Sequence, residues 1–475
     1  MKRKQIIVIN FKGGIVYTEL LRTIISIENV KFYFGCRQNL YLVINSHQVD
    51  EIYELLKQRN INCFLYKEGY SNIVSSYLAI DIFDTNAWLT ESIFDEILDS
   101  FDLYHKLKIN IVNLEQNFVS PFDADLCFIP SKYPNFWYLL IKNPESKKFF
   151  LWFNLIYSTD LGLLAKEIEN YIWLTGDYNI NNIYNAINNK IKYIFIEKNV
   201  EPDFKIHSQY HYKNNNSWIE LYNSKNLYDF LKLVVDECLL NKINKIYFTT
   251  KRTIVIKNLT EDDLYKWKIF IGKHNSIIKL QDLESNWKYK DFDRRAERLK
   301  SYLIKELYKN NINCQNITFS IVSDENYELI SDIIIKIKYL SRYIPLLKYY
   351  EIYYLEKNTF PNFHYTSFYR CLLKSNLINV IEYLYKKYYD DLWRKLFTEE
   401  NVIKKPAQIK QYWVPGKIYY CKDCLTVYDP EVGDSINNIP PGTKFEDLPD
   451  SYMCFVCSAP KSNFDIKLKT MKKFE

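Results

Sequence analysis

The sequence predicts an α+β protein: a duplicated body of mixed sheets and helices, followed by a small β-rich domain at the C-terminal end. Three observations predict this. Segments 8–44 and 218–259 repeat one order of apolar and polar runs. The composition, 48% hydrophobic and 25% charged, is that of a chain with large cores. Four of the ten cysteines fall in two closely spaced pairs, Cys421/Cys424 and Cys454/Cys457.

Each copy in the body reads as strand, amphipathic helix, apolar strand, polar break with an arginine, and apolar strand. The break holds Arg37 in the first copy and Arg252 in the second. In the second, Leu227, Phe230, Leu231, Val234, Val235, Cys238 and Leu239 recur at helical spacing, the stripe of a helix packed on a sheet. A further helix is expected over 47–60 and 260–274. That β-α-β-β-α order is the ferredoxin-like pattern, a sheet with helices on one face. Longer mixed segments follow, about 66–205 and about 286–400, and the aromatic run 349–358 reads as a strand. Asn-rich stretches at 178–189 and 214–216 read as loops. The expected domains are 1–205, a similar 206–400, a linker over 401–416 with Pro406 and Pro415, and 417–475.

Composition excludes several functions. Ordinary usage of about 7% glycine would give roughly 33 in a chain of this length; there are 10, and none forms a Gly-x-Gly-x-x-Gly or a phosphate-binding loop. Nucleotide phosphates need close backbone approach, so these classes are poor fits. Basic charge is dispersed, which argues against nucleic acid. No apolar run approaches membrane-spanning length, and the N-terminal apolar stretch is too short for a signal core. A cytoplasmic location with reduced cysteines is the expectation. The pair His207/His211 and the run Arg294, Arg295, Arg298 read as a polar loop and a solvated helix face.

Two thiolates separated by two residues can reach one metal from a tight turn. Two such turns face to face make a tetrahedral four-sulfur cage from Cys421, Cys424, Cys454 and Cys457. Such a cage suits zinc or a single iron, and spacing leaves both open.

The surrounding residues resemble rubredoxin. The matching pieces are Tyr428-Asp429-Pro430, Gly433-Asp434, Ile439-x-Pro441-Gly442-Thr443-x-Phe445, Asp447-Leu448-Pro449-Asp450 and Lys461-x-x-Phe464. The resemblance implies one iron held by four cysteines that carries one electron between ferric and ferrous states, with zinc as a possible substitute. Leu425 and Ser458 stand where that family has glycine, and Phe455 where it has proline. Tyr419, Tyr428, Phe445, Tyr452 and Phe464 are expected to form an aromatic core under the metal, which a domain of this size needs for stability.

The body is similar in its order to sirohaem-dependent nitrite and sulfite reductases, through Gly35-Cys36-Arg37-Gln38-Asn39-Leu40 and its counterpart Thr249-Thr250-Lys251-Arg252-Thr253. That resemblance implies anion-binding roles for Arg37 and Arg252. The family's cluster-binding cysteine pairs are missing: Cys36, Cys63, Cys127, Cys238, Cys314 and Cys371 are widely separated. Neither sirohaem nor a 4Fe-4S cluster is therefore expected.

Residues 417–466 hold four lysines and eight acidic residues, net −4, which leaves +10 elsewhere. An acidic electron carrier on a basic scaffold suits docking with a redox protein partner. The expected function is electron transfer. The alternatives are a reductase whose N-terminal body binds a cofactor, a tetrapyrrole or flavin, fed with electrons by the metal domain, and a non-redox adaptor with a zinc ribbon.

Overall fold

The computed structural model describes residues 4–187 apart from 60, 67–72, 84–87, 103–104, 145 and 147; then 194–195; then 217–398 apart from 281–285, 311, 313, 315–316, 324–329, 340–347 and 360–361; and finally 417–468 apart from 424–426, 429, 431–433, 435–436, 438, 441 and 455–458. The chain divides into two compact units, Met1–Arg394 and Lys395–Glu475.

In the larger unit the two copies fold alike. The first sheet orders its strands Lys31–Phe34, Asn39–Asn45, Lys4–Asn10, Cys63–Leu65; the second orders Lys245–Phe248, Ile254–Leu259, Ser217–Asn223, Ile278–Leu280. Both are antiparallel and have the ferredoxin-like order. Alternation decides which face is covered. Ile7, Ile9, Leu40 and Leu42 join Leu221, Ile254 and Ile256 in one apolar core with the helices Thr18–Ile25, Val49–Gln58, Leu227–Leu240 and Glu261–Lys273. The stripe expected on Leu227–Leu240 is buried at Phe230, Leu231, Val234, Val235 and Cys238. The halves are thus similar, but they do not fold around separate cores.

One strand crosses between them. After Lys4–Asn10 the chain turns through Gly13 (φ 59°) and Gly14 (φ 75°), and Ile15–Tyr17 pairs antiparallel with Lys245–Phe248 of the second copy. A Cβ on Gly14 would lie 2.5 Å from the Phe248 carbonyl oxygen, so only glycine fits the crossing. Thr18 then starts its helix against the second copy, its N–H donating to the Asn244 carbonyl at 3.1 Å and its hydroxyl to that of Ile243 at 2.9 Å.

The two mixed segments also match. In each, three parallel strands precede an antiparallel fourth: Val74–Ser75, Ile109–Ile111, Leu126–Pro130 and Phe136–Lys142 in one, and Trp287–Lys288, Phe319–Val322, Ile333–Tyr339 and Lys348–Thr359 in the other. A helix lies between the first two strands of each, Glu91–Ser100 and Arg294–Lys309, and another comes after the antiparallel strands, Leu161–Thr175, which a last short strand Ile194–Phe195 follows, and Leu377–Thr398. Arg294, Arg295 and Arg298 fall on the exposed start of theirs, as expected for a solvated face.

One loop expectation fails. Residues Ile180–Ile187 form a helix, because Ile183 and Ile187 bury a one-turn stripe that outweighs the weak helix preference of Asn181, Asn182 and Asn185. Residues 214–216 and the pair His207/His211 lie outside the described residues. No helix among the described residues is long and apolar enough to cross a membrane.

The smaller unit is built on a three-stranded antiparallel sheet, with Lys417–Cys421 between Val427–Tyr428 and Phe464–Leu468.

Candidate metal centre

Cys421 ends the central strand of the small sheet, in register with Phe464. The Cys454 N–H donates to the Ala459 carbonyl at 2.8 Å, beside a bridge between Met453 and Pro460. Both cysteines are buried, and with Ala459 they form one small cluster packed against Phe464. The first cysteine of each sequence pair is therefore brought to the same place. Cys424 and Cys457 lie outside the described residues, as do Leu425, Phe455 and Ser458. Sulfur donors, buried and convergent, are the chemistry that a soft-ligand metal such as iron or zinc requires.

An aromatic core supports the cluster, with the membership read from the sequence: Tyr419, Tyr428, Phe445 and Tyr452 are buried, with Phe464 packed against them. Tyr419 stacks on Phe445 with centroids 4.2 Å apart and planes 12° from parallel. Each phenol has an acceptor: Tyr428 donates to the Thr443 carbonyl at 2.9 Å, Tyr452 to Asp434 at 2.8 Å, and Tyr419 to Glu446. Gly442, at φ 90°, turns the chain so that its N–H reaches the Pro430 carbonyl at 2.7 Å.

In the larger unit Arg37 and Arg252 lie on equivalent turns, one position apart. The turns close alike, from the Gly35 N–H to the Asn39 carbonyl at 2.8 Å and from the Thr249 N–H to the Thr253 carbonyl at 3.1 Å. This aligns Arg37 with Lys251 and Gln38 with Arg252; the latter two share a left-handed backbone at φ 56° and 63°. Each left-handed residue grips backbone at the first strand of a mixed sheet. Gln38 exchanges two hydrogen bonds with Ser75 (3.0 and 2.9 Å), and Arg252 donates to the Tyr289 carbonyl at 2.9 Å. Arg37 donates to the Ile109 carbonyl at 2.8 Å and to Asn110 at 3.0 Å.

Arg252 also holds an anion belonging to the chain itself. Its guanidinium donates to Asp291 at 2.7 Å, and that carboxylate accepts from the Cys36 N–H at 3.0 Å and the Tyr41 hydroxyl at 3.0 Å. Burial, reinforced by the Asp291 charge, pushes the Cys36 thiol up to about 12, so it stays protonated. Sequence reading missed Asp291. It lies 255 positions from Cys36, and no local pattern marks it. The remaining described body cysteines are dispersed: Cys63 and Cys238 in the shared helical core, Cys127 and Cys314 in separate mixed-sheet cores.

Comparison with known proteins separates the two units. A family model, rubredoxin, matches residues 418–464. Over 44 residues the chain is 54% identical to rubredoxin-2 of Chlorobaculum tepidum, which spans 9% of this chain and 85% of that protein. It is 45% identical over 58 residues to a probable rubredoxin of Methanothermobacter thermautotrophicus, 12% of this chain and 92% of the relative. Among solved structures, the NirA protein of Mycobacterium tuberculosis superposes with a TM-score of 0.63, covering 85% of this chain and 82% of that one. Identity there is 15%, so the likeness is one of fold.

Proposed function

Because the chain belongs to the rubredoxin family through residues 418–464, we propose that it is a one-electron carrier whose large body serves as a docking scaffold for a redox protein partner. The observation that carries this reading is the convergence of buried Cys421 and Cys454 inside the matching segment. With Cys424 and Cys457 they would supply four thiolates. An iron held by these four thiolates would supply one-electron chemistry between its ferric and ferrous states. The protein's own groups do the rest. Burial excludes water from Cys421 and Cys454, the Cys454 N–H is committed to Ala459, and the aromatic core fixes the turns. Four ligands leave no open position for substrate, which favours carrying electrons over catalysis.

The test is the visible spectrum and metal content of the full chain purified from its native host. One iron per chain, red when oxidised and bleached by a one-electron reductant, is expected. Colourless protein with stoichiometric zinc would instead support an adaptor.

A second reading is favoured by the NirA-like fold of the body: a reductase fed by the metal domain, with Arg37 and Arg252 binding an anion. An external anion at Arg252 would have to compete with Asp291. Absorption bands beyond those of an iron–thiolate centre in the same protein would favour this reading over the carrier.

A further inference from the structure

Asp434 is a buried carboxylate, 4% exposed, in the smaller unit. Burying such a group costs several kcal/mol unless donors surround it, and this one has them. It accepts from the Tyr452 hydroxyl at 2.8 Å, from the Asn437 N–H at 3.2 Å and from the Asn437 side-chain amide at 2.8 Å. Its own backbone is fixed by a two-way bridge with Ile439, at 2.9 and 2.7 Å.

Two of these contacts lead to Cys454. Tyr452 stands two residues before it. The Asn437 amide that binds Asp434 also donates to the carbonyl of Met453 at 3.0 Å, and that carbonyl belongs to the peptide entering Cys454. The carboxylate thus lies two hydrogen bonds, on the order of 6 Å at most, from the Met453 carbonyl that precedes the ligand residue Cys454. It is tied to that segment by one side chain ahead of it and one beneath it.

We propose that Asp434 is a positioning and potential-setting residue of the metal centre: through Tyr452 and Asn437 it holds the turn that presents Cys454, and its fixed negative charge favours the ferric over the ferrous state. This rests on the iron reading above. A four-thiolate cage gains negative charge on reduction, so a buried anion nearby opposes electron uptake. No proton moves in this scheme. Asp434 acts by charge and by its hydrogen bonds.

The test uses the full chain in three variants, with iron content, midpoint potential by spectroelectrochemistry and rate of iron loss to a chelator as readouts. Asp434→Asn keeps the size and an acceptor for Tyr452 while removing the charge. It should bind iron and shift the potential positive by about 59 mV, a tenfold change in the ferric/ferrous equilibrium. Tyr452→Phe and Asn437→Ala keep the charge and cut one tie each, so each should lose iron about threefold faster or more. An iron-loaded Asp434→Asn with wild-type potential overturns the charge role. If that variant does not hold iron, wild-type rates of iron loss in both other variants overturn the positioning role. Zinc in the wild-type protein would sink the electron-carrier reading instead, so the two failures are distinguishable.

Discussion

Asp291 gathers the Arg252 guanidinium, the Tyr41 hydroxyl and the Cys36 N–H onto one carboxylate, although Cys36 and Tyr41 belong to one turn and its adjoining strand while Arg252 sits on a turn far away in sequence. The pair is well shielded, with side chains 16% and 13% exposed. Removing one partner of such a pair leaves an uncompensated charge and costs about 3–5 kcal/mol, whereas replacing both by apolar groups costs much less. Asp291→Ala should therefore lower the stability of the larger unit by about that amount in urea titration. Asp291→Ala combined with Arg252→Met should recover part of the loss. Equal destabilisation in the single and double variants would show that the pair contributes by packing alone.

At the scale of elements, the crossover Ile15–Tyr17 joins the two copies, and Gly14 makes it possible. Gly14→Ala should cost about 1–2 kcal/mol for the left-handed backbone and more for the collision with the Phe248 carbonyl. The check is a urea midpoint well below that of an exposed Gly272→Ala control, which has open space.

A second junction ties the strand Ile254–Leu259 to the first mixed segment. Lys257, its side chain 2% exposed, donates to Asp81 at 2.5 Å and to Glu91 at 2.7 Å, and Glu91 accepts from Tyr77 at 2.8 Å. Burial pushes the Glu91 carboxyl up, but the hydrogen bond and charge of Lys257 outweigh it and hold the group below its ordinary value. A lowered folded value contributes stability that is complete above the ordinary carboxylate value and is lost as pH falls through the folded one. Urea midpoints taken between about pH 6 and pH 3 should drop on the acid side, and Glu91→Gln should flatten part of that drop. An unchanged acid limb in the variant would remove Glu91 from the account.

For the whole molecule, the two compact units predict separable stability. The smaller one has an apolar core of a few aromatic side chains, and a domain so small depends on its metal. Cys454→Ala should release the metal and expose the C-terminal unit to protease, while the unit Met1–Arg394 keeps its thermal transition. Loss of both transitions together would show that the units fold as one.

The sequence by itself determined whatever rests on local pattern. Paired cysteine spacing marked Cys421 and Cys454, which the fold brings together, helical periodicity placed Leu227–Leu240, and the repeated strand-helix order announced the duplication. These depend on contacts among near neighbours, so the residues that make them stand together in the chain. Residues 180–187 were misread because abundant asparagine hid a two-residue apolar stripe that only burial makes decisive. Tertiary structure alone decided the strand exchange at Gly14, the shared helical core, the one-position offset between Arg37 and Arg252, the partnership of Arg252 with Asp291, and the link from Asp434 through Asn437 to Met453. Each of these joins residues that sequence keeps apart. A side chain's partner is set by where the backbone carries it, and no local pattern encodes that destination.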